Sequence, residues 1–322
     1  MKQLIRNAAV FVVLTYVISI LLSCGYTALF RDHKSDQSKK NWTLIRKGDT
    51  LDYAAMGSSR VFHMVDVPLL NTLTGKKGMN IGTSGSSYAD NYVLLVKYLE
   101  RNKVGTLILN ADELCFHSSS GYTYPFKDYE YMPYFFEDTI NKVYKDNVPT
   151  WKYYLYTGIP LTRYIDFNEH YELGSMFWLS AKRPPCKFDT TAGTELLYNM
   201  KYKKFTPADT LFTPKDTLNV EQLDELYFHK IIKLCKSKGM KVIVITTPLF
   251  TKGIYTLANR VKFQHYLDGL IQKEKLTYIN FVDMTSLQKV RYFRDMTHTN
   301  IEGTRIYTRY LATQLKVIFK EE

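Results

Sequence analysis

Little in this sequence could fix a fold covalently. Only 4 of its 322 residues are cysteines, none in a CxxC pair, and the three beyond Cys24 (Cys115, Cys186 and Cys235) are an odd set that leaves at least one thiol free. A disulfide framework is therefore excluded as the source of stability, and each of the three reads as a small packed hydrophobe. No segment is low in complexity and no fixed-period repeat occurs, which excludes a disordered chain and a solenoid. Zinc-knuckle spacing, an aromatic RNA-binding signature and a clear basic recognition helix are also missing. The excess of base over acid, a formal net charge of +12, thus speaks least for nucleic acid; an anionic polysaccharide or an anionic membrane face suits it better.

What the chain does have is tyrosine and phenylalanine, 26 and 18 of them, many crowded between Tyr122 and Trp178. It also has one long apolar run. From Ala8 to Phe30 there are 23 residues without a charge, preceded by Lys2 and Arg6. At about 1.5 Å per residue such a helix crosses a bilayer core of roughly 30 Å. The segment "LLSCG" resembles an imperfect lipobox with Cys24 as the lipidated residue, an alternative that also tethers the chain. The run continues past Cys24, as a spanning helix requires. Residues 1–30 are expected to be a membrane anchor and 31–48 a polar stalk. Basic residues flank both ends of the run, so charge does not orient it.

Beyond the stalk, short apolar segments alternate with helical spacing. Strands are expected at "DTLDYAAM", "KKGMNIG", "VGTLILN", "MKVIVITTP" and "LTYINFV". Helices are expected at "VFHMVDVPLLNTL", 88–102, 220–238, 257–274 and from about Asn300 to Phe319. This alternation predicts an α/β domain over 49–322, a parallel sheet covered by helices on both faces. A long interruption at about 117–218 carries the aromatic clusters. It reads as a cap or membrane-resting surface, or as a helical subdomain with its own aromatic core.

In parallel sheets, active residues gather at the carboxyl ends of the strands, and these ends hold the parts of a nucleophilic site. Ser59 lies in "MGSSR", where glycine permits a tight turn that exposes the hydroxyl. Gly85 in "NIGTSGSS" offers a backbone N–H that a substrate oxygen can approach. Asp295 and His298 share "RDMTH", so the carboxylate can hold Nδ1–H and leave Nε2 for the serine. Thr299 with Glu302 fits a capping box for the last helix.

These segments, in this order, resemble the SGNH, or GDSL-like, hydrolase superfamily. "GSSR" matches its first block with Ser59 at the nucleophile position, "SGSS" its second with Gly85, and "DMTH" its last with Asp295 and His298. The third block departs: "NADE" puts Asp112 where asparagine is expected and Asn110 two residues early. An ionised Asp112 would repel an oxyanion, so Asp112 is protonated, Asn110 serves instead, or the third donor is absent. The match covers about 140 residues. The resemblance implies a flavodoxin-like three-layer α/β/α fold in which Ser59 is the nucleophile, His298 the acid/base and Asp295 its orienter. The N–H groups of Ser59 and Gly85 would stabilise the oxyanion, with no metal or organic cofactor. "GSSR" with an anchor is further similar to the bacterial branch of D-alanine-transfer and alginate O-acetylation proteins. That implies an extracytoplasmic domain working beside a membrane acyltransferase or other acyl donor on an envelope polysaccharide. A non-catalytic scaffold binding a partner or glycan is the other expectation.

Overall fold

The computed structural model describes residues 1–31, 44–45, 47–111, 116, 131–166, 188, 191–198, 222–250 and 260–320. In chain order the first elements are α1 (Lys2–Arg31), β1 (Thr50–Met56), α2 (Ser59–Met64), α3 (Val67–Thr74), β2 (Gly78–Asn80), α4 (Tyr88–Leu99) and β3 (Lys103–Asn110). Then follow α5 (Asp138–Asn147), α6 (Thr150–Gly158), α7 (Thr162–Ile165), α8 (Gln222–Ser237), β4 (Lys241–Thr246), α9 (Arg260–Glu274), β5 (Thr277–Asn280) and α10 (Ile301–Lys320). By its internal contacts the chain divides into two compact units, one of Met1–Trp42 with Lys127–Cys186 and the other of Thr43–Phe126 with Lys187–Glu322.

The larger unit is built on one five-stranded sheet in the order β2-β1-β3-β4-β5, every pair parallel. The strands are short β-branched and apolar runs, and β1, β3 and β4 are buried along almost their whole length. Burial of both faces removes the apolar/polar alternation of a one-sided sheet. On one face Tyr53, Ala55, Ile108, Ile243 and Ile245 pack with Tyr307, Leu311 and Leu315 of α10, which lies against α3. On the other, α4 packs on α8, and Tyr88 meets Phe228 with ring centroids 5.3 Å apart. The expected doubly covered parallel sheet is present. Its strand order turns back beside β1, so the crevice between the carboxyl ends of β1 and β3 is the place where such folds bind ligands.

Two local expectations change. "VFHMVDVPLLNTL" forms two helices, because Asp66 accepts the Leu69 N–H at 3.1 Å and starts α3 afresh, with Pro68 in the first turn where its missing N–H costs nothing. The last helix is capped by Asn300, whose Oδ1 accepts the Gly303 N–H at 3.1 Å, while the Thr299 hydroxyl bonds that of Thr304 at 2.7 Å. A full capping box stands instead at Ser87 and Asp90, before α4.

The smaller unit joins the apolar helix to part of the insertion. The stretch Lys2–Ala28 contains an 18-residue window of mean hydropathy 2.3 that is mostly exposed, and it is long and apolar enough to cross a membrane. Its last turns are covered. The Arg163 guanidinium donates to Ser23 Oγ at 3.0 Å, the Thr27 and Tyr164 hydroxyls lie 2.6 Å apart, and Arg31 donates to the Pro133 carbonyl at 2.7 Å. Arg163 also lies over Phe136, 4.5 Å from its centroid. The buried Ser23, Arg163 and Tyr164 side chains are thus paired, as an apolar setting demands.

Candidate active site

Ser59 begins α2 immediately after β1, and its side chain is half-buried. The sharp exit depends on Gly57: a Cβ there would lie 2.7 Å from Val61 Cγ2 and 2.9 Å from Asn110 Cβ, closer than packed carbons approach. As the first residue of a helix, Ser59 has an N–H that no helical carbonyl accepts. Arg60 turns inward, and its guanidinium donates to the Thr247 carbonyl at 2.7 Å, which ties the serine turn to the loop after β4.

The loop after β2 is fastened to the same turn. The Gly57 carbonyl accepts from the Thr83 N–H at 3.0 Å and from the Ser86 hydroxyl at 3.1 Å. Between them, Thr83 to Ser86 close a turn by a 3.2 Å hydrogen bond, with exposed Gly85 at its third position and φ of 69°. A positive φ at that position calls for glycine. Gly85 is thus held in the loop that embraces the Ser59 turn. Asn80 lies beneath: its amide donates to the Val61 carbonyl at 2.9 Å while its Oδ1 accepts the Gly82 N–H at 2.9 Å.

Asp295 and His298 come from the loop before α10. His298 Nε2 lies 2.8 Å from Ser59 Oγ, and its Nδ1 lies 3.0 Å from each Asp295 carboxylate oxygen. A carboxylate only accepts, so Nδ1 carries the hydrogen and Nε2 is left as the acceptor for the serine hydroxyl. Asp295 Oδ1 also accepts the N–H groups of Thr297 and His298, both at 2.8 Å. Partial burial pushes the Asp295 carboxyl up, but the hydrogen bond and charge of His298, with the Thr297 N–H and hydroxyl, outweigh it and hold the group down to about 2. It is ionised wherever His298 needs it to be.

Of the residues singled out in the sequence, the structure therefore brings Ser59, His298 and Asp295 into one hydrogen-bonded chain and holds Gly85 beside it. Asn110 ends β3, fully buried against Gly57, with its carbonyl accepting from Tyr88 Oη at 3.2 Å. Asp112 lies outside the described residues.

His63 was not anticipated. It stands four residues after Ser59, one helical turn on, a spacing that puts both on one face. Its Nδ1–H donates to the Glu195 carbonyl at 2.7 Å, and its ring meets that of His298 edge-on with centroids 6.2 Å apart. Burial pushes the His63 imidazolium down, the Glu195 carbonyl opposes this, and the charges of His298 and Arg294 add to the lowering. The lowering disfavours a charged imidazole at His63, next to the ring of His298.

Comparison with known proteins adds little to this geometry. No protein-family profile matches the chain, and no curated protein matches it. Among solved structures it is similar to one from Bacteroides fragilis NCTC 9343 provisionally named as an acylhydrolase, at 10% identity and a TM-score of 0.40, over 84% of this chain and 89% of that one.

Proposed function

We propose that the chain is a serine-dependent acyl-transfer enzyme or esterase, tethered to a membrane by α1 and acting on cell-envelope glycans. The observation that carries the reading is the 2.8 Å contact of His298 Nε2 with Ser59 Oγ, backed by the 3.0 Å contacts of Nδ1 with Asp295. In the first half-reaction His298 takes the Ser59 proton as Oγ attacks the carbonyl carbon of an acyl donor. The negative oxygen that forms is met by backbone N–H groups at the start of α2 and in the Gly85 turn. On collapse the bond to the leaving oxygen breaks, and His298 returns the proton to it. In the second half-reaction His298 deprotonates water or a sugar hydroxyl, which attacks the acyl carbon; the bond to Ser59 Oγ then breaks, and His298 returns the proton to Oγ. Asp295 keeps the imidazole in the Nδ1–H tautomer and stabilises its cation throughout.

The resemblance of the four sequence blocks to SGNH hydrolases supports the same chemistry. An extracytoplasmic location beside a membrane acyltransferase belongs to that resemblance, and the basic charge suits an anionic envelope polymer. The test is reaction of the full chain, in detergent, with a fluorophosphonate probe. A covalent adduct on Ser59, absent from Ser59→Ala, is expected. A folded protein that takes up no probe would leave a glycan- or partner-binding scaffold as the better reading.

A further inference from the structure

One cavity of the α/β unit is not lined by Ser59 itself. A groove of about 740 Å³ runs along its flank between α3, the 191–198 segment and the first half of α10. Its upper end adjoins the catalytic residues. Glu195, which lines it, accepts through its carbonyl from His63, whose ring touches that of His298. Two residues on, the Leu197 carbonyl accepts the Ile301 N–H at 3.2 Å, so the lining segment is stitched to the first residue of the helix that follows His298.

The chemistry of the groove is uneven. Leu69 and Leu196 give it apolar wall, and Tyr198 stands on its rim with 64% of its surface exposed. Arg305 and Arg309 line it from α10, both exposed. Four residues apart, they sit about 6 Å from each other along the helix axis. Neither guanidinium has a hydrogen-bond or ion-pair partner among the described residues. Two carboxylates also line the groove, but Asp66 is buried as the cap of α3, and Glu195 has an interaction of its own. The unsatisfied charge is therefore cationic and paired at a regular step. Guanidinium groups bind carboxylate and phosphate oxygens through parallel N–H donors, and an exposed tyrosine ring offers a face to a sugar.

We infer that this groove holds an anionic saccharide chain, with a sugar ring on Tyr198 and successive carboxylate or phosphate groups on Arg305 and Arg309. Bound so, the chain brings one of its hydroxyls towards His298 as the acyl acceptor. This rests on the acyl-transfer reading above, but the binding site itself does not need the chemistry.

Binding is measured on the full-length Ser59→Ala protein in detergent, by calorimetry, so that no turnover intervenes. The probes are a uronic-acid oligosaccharide, a glycosylated glycerol-phosphate oligomer, a neutral glucan of similar length and linear polyphosphate. At least one of the first two is expected to bind, and which one tells carboxylate from phosphate. R305Q/R309Q, at exposed positions that leave the core intact, is expected to weaken it at least about tenfold, and Tyr198→Ala several-fold. Equal affinity in the double variant, equal affinity for the neutral glucan, equal affinity for polyphosphate without dependence on Tyr198, or no binding of either anionic saccharide overturns the inference. A wild-type chain that binds the saccharide but takes no fluorophosphonate would keep the groove and sink the enzyme.

Discussion

His298 Nε2 and Ser59 Oγ are 2.8 Å apart across 239 residues of sequence. Nothing local links them. The contact exists because β1 ends in a glycine turn while the loop before α10 is folded over itself, with the Phe293–Thr299 bridge and the Arg294 N–H to His298 carbonyl bond of 2.8 Å holding its hairpin shape.

Removing any part of this chain is expected to act on rate, leaving the fold intact. Ser59→Ala and His298→Ala should each lower esterase activity by about 10³-fold or more, and the double variant by little beyond either, since the members act as one unit. Asp295→Asn should fall by roughly 10²- to 10⁴-fold, through the wrong tautomer. Full activity in Ser59→Ala alongside inactive Ser58→Ala would move the nucleophile by one residue.

Gly57→Ala tests the turn. Its added methyl meets Val61 Cγ2 and Asn110 Cβ, and overpacking of this kind costs about 1–3 kcal/mol. Thermal unfolding should report that loss, and probe labelling should slow because α2 must shift. An unchanged midpoint with full labelling would show that the turn tolerates a side chain.

Stability should respond to acid in two windows. His63 is held below its ordinary 6.5, so the unfolded chain binds a proton that the folded chain refuses, and stability declines as pH falls below about 6.5. Asp295 has a folded value of about 2 against an ordinary 3.8. Its contribution is complete above that ordinary value and is lost as pH falls through about 2. Melting curves of His63→Gln should show a flatter decline between about pH 6.5 and 5. The same slope in wild type and variant would clear His63 of the effect.

Membrane attachment has its own reporters. On α6, Trp151 and Tyr154 are three residues apart and 68% and 63% exposed, a spacing that puts them on one helical face, in the unit that contains α1. Aromatic rings of this kind favour the bilayer interface. In a chain with Trp42 and Trp178 replaced by phenylalanine and inserted into vesicles, Trp151 should be quenched by brominated lipid more than by aqueous iodide; the opposite order refutes an interfacial position. Cys24 lies on an unbroken helix, so Cys24→Ser should stay in the membrane fraction. Its release would favour a lipid anchor.

The sheet was legible because parallel strands buried on both faces are short continuous apolar runs, and because glycine, aspartate and histidine mark the strand ends in order. Ser59, His298 and Asp295 were legible for the same reason. His63 was hidden because a lone histidine on an amphipathic stretch reads as packing, and only the 195 segment, 132 residues away, shows what it holds. The split at Asp66 was obscured by a pattern that stays apolar through the break. At Asn300 against Thr299, two good capping residues stand side by side, and the side-chain bond between Thr299 and Thr304 occupies the Thr299 hydroxyl.

Arg163 and Ser23 are joined across 140 residues, so the smaller unit needs two distant segments of the chain. Ser23 has its guanidinium partner only once residue 163 is in place. The intervening sequence contains β1 to β3, three of the five strands of the sheet. Neither unit is therefore continuous in sequence. A chain shortened to begin near Lys39 loses more than its apolar helix: Arg163 and Tyr164 lose Ser23 and Thr27 as partners, and the face that α1 covered is opened to water.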